Sequence, residues 1–216
     1  MLDQDRWEDL LEGFLRDREG VDSAHGMDHI KRVVANARQL AAAEGATLEV
    51  VLPAAWLHDC VALPKDSPAR RAASEVAART ARQWLEGAGY DPAWLDGIEH
   101  AIAAHSFSAG IAPRTIEAKV VQDADRLDSL GAIGIARCLM LGGQLDRPLY
   151  DPQDPFCESR APDDRISTVD HFHTKLLLLV DSMQTEAGRR EAARRTEFMR
   201  EFLKELEVEL GPSEGD

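Results

Sequence analysis

Between Val50 and Leu57 the chain reads VVLPAAWL, without a charge, and then meets His58 and Asp59 directly. An uninterrupted apolar run of this length calls for burial on every side. The segment therefore predicts a helix enclosed by other elements, with Gly45 before it and Pro53 near its start, where proline suits a first helical turn. A histidine and an aspartate at the end of such a helix need a physical reason, because buried charge is costly unless it is paired or metal-bound. Adjacent helical residues point about 100° apart, so this pair can share one ion only close to the helix end or axis. Alone, a His-Asp pair is more often a helix-terminal histidine beside a solvated aspartate, and its weight depends on partners elsewhere.

The surroundings read as helical. Trp7, Leu10, Leu11, Phe14 and Leu15 recur at helical spacing, as do Ile30, Val33, Val34, Ala37, Leu40 and Ala41. Composition and periodicity predict further helices over 69–87, 92–105, 114–127 and 129–142, and strand signals are nearly absent. Residues 143–163 carry four prolines and predict an irregular, ordered loop. Two patterned helices follow, one with Val169, Phe172, Leu176, Leu179 and Met183 on a face, the other with Phe198, Phe202 and Leu206. The expected fold is an all-α bundle in a single domain over 1–216, with a core at about 21–142, the loop at 143–163 and a C-terminal helical pair within 164–210 packed on it.

Composition narrows the classes of partner. At 216 residues with 44% hydrophobic and 30% charged residues the chain can bury a real core. A net charge of −14 repels a phosphate backbone and argues against a large nucleic-acid footprint. A small phosphorylated ligand needs only one cation and a few basic side chains, so acidity limits partner size rather than partner chemistry. Cys60, Cys138 and Cys157 show no CxxC spacing and read as free thiols of a reducing compartment. No apolar run approaches the ~18 residues of a membrane span, and the N-terminus lacks a signal-peptide layout. A cytoplasmic protein without a membrane segment is expected.

Two other segments carry chemistry. In SAHGMDHIKRVV the cap-type residues Asp22, Ser23 and Asp28 place His25 in the loop leading into a helix and His29 one turn inside it, which makes His29 the better ligand. In VVQDADRLDSLGAIG, Asp123, Asp125 and Asp128 crowd beside Val120, Val121, Leu127 and Leu130, so at least one carboxylate points inward, and Asp125 is taken as that one. With His58 and Asp59 these residues make a mixed nitrogen and oxygen set suited to manganese, iron, cobalt, nickel or zinc more than to calcium.

The order H…HD…D, with the pair at the end of an apolar helix, resembles the HD-domain superfamily of metal-dependent phosphohydrolases. DSAHGMDHIKRV, AAWLHDC, LPKDSPARRAAS, AIAAHSFS and VQDADRLDSLGAIGIAR are similar to segments of its small stand-alone bacterial members, and TVDHFHTKLLLL and FMREFL to their C-terminal part. The resemblance implies a single divalent transition metal, manganese foremost with nickel, cobalt, iron, zinc or magnesium as substitutes, on His29, His58, Asp59 and Asp125. It implies hydrolysis of small phosphorylated compounds, nucleotides above all, including cleavage of nucleoside triphosphates to monophosphate and pyrophosphate. Ala62 stands where the 5′-deoxynucleotidase branch carries glutamate, the HDxxED pattern of the guanosine tetraphosphate hydrolases is missing, and no GYP signature is present.

Beyond the metal, Asp59 or Asp128 is expected to orient the attacking water, and His25 and His105 to protonate or hydrogen-bond the leaving oxygen. Lys65, Asp66 and Arg70, near a helix start at Pro68, are expected to meet the substrate, the two cations neutralising phosphate oxygens. One ion is favoured over two, with His105 on the substrate, and His171 and His173 are read as structural. The rival readings are a catalytically silent HD module that binds a nucleotide or a partner, and a phosphomonoesterase or 5′-nucleotidase type of HD enzyme. A monomer or a homodimer is compatible with either.

Overall fold

A computed structural model of the chain describes residues 4–17, 26–61, 72–106 and 109–211. Among them are nine α-helices and no strand: α1 (Gln4–Arg16), α2 (Met27–Glu44), α3 (Leu48–Leu57), α4 (Ala73–Ala88), α5 (Pro92–His105), α6 (Ile116–Leu127), α7 (Gly131–Gln144), α8 (Asp170–Thr174) and α9 (Glu186–Leu210), with a 3-10 segment at Leu176–Ser182. The chain divides into two compact units, one formed by Met1–Asp125 with Gln184–Gly188, the other by Arg126–Met183 with Arg189–Asp216.

In the first unit α3 is the hub. Every residue from Val50 to Leu57 is buried, and α3 packs against α1, α2, α4 and α5. Gly97 of α5 permits a close approach, since a Cβ there would lie 3.3 Å from both Val50 methyls. Pro53 corrects the expectation of a first-turn proline, because α3 begins at Leu48 and the ring lies in its interior. A proline there supplies no N–H to the carbonyl four residues back. That carbonyl, Glu49 O, instead accepts the buried Tyr90 hydroxyl at 2.5 Å. The cap of α2 is also corrected: Gly26 occupies the N-cap position without a side-chain bond, and Asp28 lies in the first turn. At the other end of α2, Gly45 takes the left-handed φ of 68° and donates its N–H to Ala41 O. Asp91 caps α5 by accepting the Ala93 N–H at 2.9 Å, with Pro92 opening the helix.

In the second unit the expected helix over Val169–Met183 is broken. Lys175 leaves helical backbone at φ −142°, ψ −59°, and separates α8 from the 3-10 segment. Val169, Phe172, Leu176 and Met183 are nevertheless buried, since apolar spacing records which residues go inward and not whether the backbone between them is continuous. In α9 the buried seam is Ala192, Thr196, Met199 and Leu203, whereas Phe198 is 46% exposed. Phe202 stays half-buried by stacking on Phe172 at 6.1 Å. The stretch before α8 is irregular as expected, and polar bonds order it: the Asp154 carboxylate accepts the N–H groups of Glu158, Ser159 and Arg160 at 2.8, 2.9 and 3.1 Å.

Candidate metal centre

Three helices of the first unit bring functional side chains together from their C-terminal ends. His58 is the C-cap residue of α3, His105 is the last residue of α5, and Asp125 lies in the last turn of α6. Helix C-termini carry partial negative charge, so their convergence favours a cation. α2 contributes from its start, where the third residue, His29, donates its backbone N–H to Gly26 O at 2.9 Å.

His58 Nε2 lies 3.4 Å from His29 Nε2, 3.6 Å from Asp59 Oδ2 and 3.8 Å from Asp125 Oδ1. His29 Nε2 is 3.5 Å from the same Asp125 oxygen, and His105 Nε2 is 3.4 Å from Asp59 Oδ1. The sequence expectation that the HD pair can share a point only at a helix end is what the backbone shows. The imidazoles are sunk, His58 at 0% exposure, while the Asp59 and Asp125 side chains retain 29%, so the carboxylates form the solvent side of the cluster.

The outer nitrogens settle the ring orientations. His58 Nδ1 bonds Ala55 O at 2.8 Å and His105 Nδ1 bonds Ile102 O at 2.6 Å, each a carbonyl three residues back in the last turn of its helix. Nδ1 is therefore the donor, and the Nε2 of neutral His58 presents a lone pair to the cluster. Burial pushes the His58 imidazole down, more strongly than Asp59 pulls it up. Burial opposes the charge on His105 as well, but its hydrogen bond to Asp59 and the fields of Asp59 and Asp125 prevail and push it up to about 9.

This donor set fits a divalent metal. Bonds of roughly 2.0–2.2 Å to nitrogen and oxygen put neighbouring ligand atoms about 3–3.5 Å apart, close to the spacings observed here. The ligand atoms of His29, His58 and Asp125, and those of His58, Asp59 and His105, each lie within 4.8 Å of one another. A mixed imidazole and carboxylate set belongs to transition ions such as manganese, iron, cobalt, nickel and zinc.

The other candidates separate. His25, Lys65, Asp66 and Arg70 lie outside the described residues. Asp128 belongs to the second unit, where its buried carboxylate takes Arg137 Nη1 at 2.5 Å. His100 turns to the loop before α6 and accepts the Arg114 N–H at 3.0 Å, a bond that requires the neutral ring, and burial pushes it that way. His171 pairs with Asp164 at 2.8 Å in the second unit. Sequence reasoning missed the polar side chains that hold the backbone beside the cluster: Gln122 Nε2 donates to Ala104 O at 2.7 Å and Asn36 Nδ2 to Ala124 O at 3.3 Å. In sequence they look like ordinary polar residues of amphipathic helices.

Residues 26–130 match the HD domain family. The chain is 35% identical over 192 residues to the protein YpgQ of Bacillus subtilis, covering 87% of this chain and 85% of that one. The structure of YpgQ in complex with ADP aligns with a TM-score of 0.72 at 32% identity, over 95% of this chain and 99% of that one. An HD-superfamily hydrolase from Bacillus thuringiensis aligns equally, with a TM-score of 0.72 and 32% identity over 94% and 95% of the two chains.

Proposed function

The chain belongs to the HD-domain family, and from that premise we propose that it is a divalent-metal-dependent phosphohydrolase. Its substrates are nucleotides or similar small phosphorylated compounds, with release of pyrophosphate from nucleoside triphosphates as the favoured reaction. The observation that carries this reading is the buried His58 imidazole, locked by Ala55 O so that its Nε2 faces His29, Asp59 and Asp125. The ADP bound to YpgQ supports the nucleotide class.

His29, His58, Asp59 and Asp125 hold one ion, manganese foremost. When bound, a divalent ion polarises a phosphoryl oxygen and brings the acidity of water towards neutrality. Asp59 has one oxygen towards His58 and the other towards His105, so it can orient a water and take its proton, which returns to His105 Nε2 once that nitrogen has given its own proton to the leaving oxygen. His105, whose Nδ1 already donates to Ile102 O, offers Nε2–H to the leaving oxygen. Asp59 takes the base role in preference to Asp128, whose carboxylate is engaged by Arg137. His25 supplies a further donor, and Lys65, Asp66 and Arg70 form the substrate side, the two cations on phosphate. The protein works in the cytoplasm as a monomer or homodimer.

The test is a panel of nucleoside mono-, di- and triphosphates with manganese, nickel, cobalt, magnesium or zinc, reading phosphate and pyrophosphate separately. Metal-dependent product is expected, and Asp125→Ala should abolish it. Saturable nucleotide binding with no product under any metal would establish the silent module instead.

A further inference from the structure

We propose that Asp123 is a positioning residue for the metal centre: by gripping the turn Gln184–Gly188 it sets the rotation of α6 that presents Asp125 to the imidazoles. The inference rests on the metal-centre reading above and goes one step outward from it. Asp123 is fully buried, and its carboxylate accepts the Gln184 N–H at 2.9 and 3.1 Å, the Thr185 N–H at 2.8 Å and the Thr185 hydroxyl at 2.7 Å. These bonds also fix its direction, because several donors arrive from one short turn. Residues two apart on a helix point about 200° apart. Asp123 therefore holds the turn on one side of α6 while Asp125 faces His29 and His58 on the other, and any roll of the helix moves both.

The turn is built to receive that carboxylate closely. A Cβ on Gly188 would lie 2.3 Å from Asp123 Oδ2 and 2.7 Å from Thr185 Oγ1. Gly188 in turn donates its N–H to Thr185 Oγ1 at 2.9 Å. The same turn is tied to α2, since Ala187 donates its N–H to Glu44 Oε1 at 2.6 Å, and Glu44 is the last residue of the helix that begins with the His29 segment. The Asn36 bond to Ala124 O ties α2 to α6 directly between the two aspartates. The helices that carry His29 and Asp125 are thus held to each other and to one common turn.

The experiment measures binding of Mn2+ alone to the full chain by calorimetry, with the electron paramagnetic resonance spectrum of the bound ion and the melting temperature of the metal-free protein. It compares wild type, Asp123→Asn, Gly188→Ala and, as a reference away from the site, Tyr90→Phe. Asp123→Asn and Gly188→Ala should weaken Mn2+ binding about tenfold, within the range for outer partners of a metal site, and alter the spectrum. Tyr90→Phe should melt lower with wild-type affinity and spectrum. Gly188→Ala removes no polar group and displaces the carboxylate by one methyl, so it decides the matter if Asp123→Asn does not fold. If the Asp123 and Gly188 variants lose melting temperature yet keep wild-type affinity and spectrum, Asp123 is a scaffold residue and the inference is overturned. A wild-type chain that binds no Mn2+ overturns the metal-centre reading itself, which is a different result.

Discussion

The two units place carboxylates in opposite company. In the second, Asp170 at 0% exposure takes the Arg160 guanidinium at 2.5 and 2.8 Å, the Ser167 hydroxyl at 2.6 Å and the Asp163 N–H at 2.7 Å. Burial alone would raise the Asp170 carboxyl, yet these donors hold it well below the usual carboxylate range. In the first unit, Asp59 and Asp125 face imidazole nitrogens: His105, pushed up to about 9, meets Asp59 on one side, whereas neutral His58 presents a lone pair between Asp59 and Asp125. A carboxylate enclosed by an arginine and neutral donors shapes a loop, whereas carboxylates gathered around an imidazole lone pair are shaped for a cation from outside.

The largest expected effects test that contrast with one variant on each side. His58→Ala should lower kcat/KM with Mn2+ by more than roughly 100-fold, beyond what loss of an outer partner costs, while the metal-free protein stays folded. Arg160→Met should show as stability, lowering the melting temperature by roughly 5–10 °C, with the partial exposure of the arginine trimming the loss. A fully active His58→Ala protein, or an Arg160→Met protein as stable as wild type, breaks the comparison.

A smaller effect comes from pH, read in EDTA as melting temperature from about pH 5 to about pH 9. Because burial lowers His58, the unfolded chain takes up a proton below about 6.5 that the folded chain refuses, and stability falls as pH drops. His105 is raised to about 9, so its contribution is complete below about 6.5 and is lost as pH rises through about 9. Asp170 is held low and Asp163 lies at about 2, so their contributions persist until pH falls below about 4. The metal-free chain should therefore be most stable near pH 6.5, with the alkaline limb arising in the first unit at His105 and the acid limb at His58 and His100 there and at His173 of the second unit, all three lowered by burial. His105→Gln should flatten the alkaline limb alone. A flat curve across the window would remove the histidine argument.

Much of the first unit was legible in the sequence because its signals are local. The expected 92–105 and the observed Pro92–His105 agree, since an Asp-Pro start and an apolar run mark that helix in sequence. Of the converging residues, the HD pair alone was a weak signal and the order H…HD…D singled out His29 and Asp125, although Asp125, expected as the inward carboxylate, keeps 29% exposure while Asp123 and Asp128 are buried. What escaped depends on partners that the local pattern does not mark. Asp123 meets donors 61 and 62 residues away, and nothing local separates it from Asp125. Asp128 is matched by an arginine nine residues on, across the turn at Ser129–Leu130. The seam of α9 was misread because Phe198 is large and apolar but faces outward, while the small residues Ala192 and Thr196 face in.

The smallest effect sharpens the comparison within the first unit, at the end of α3 away from His58. There the polar group left over is a carbonyl, and a neutral donor of the chain satisfies it: Tyr90 bonds Glu49 O because Pro53 cannot. Losing that bond in Tyr90→Phe should cost about 1 kcal/mol, or roughly 2–4 °C in melting temperature. In a Pro53→Ala background the amide of residue 53 can reach the same carbonyl, so the same substitution should cost about half as much, a coupling of about 0.5 kcal/mol in a double-mutant cycle. Equal costs in both backgrounds would mean that Tyr90 acts through its ring, which meets Trp7 edge-on at 4.7 Å. The two ends of α3 would then differ only in chemistry at His58, because no internal donor would be compensating for the proline.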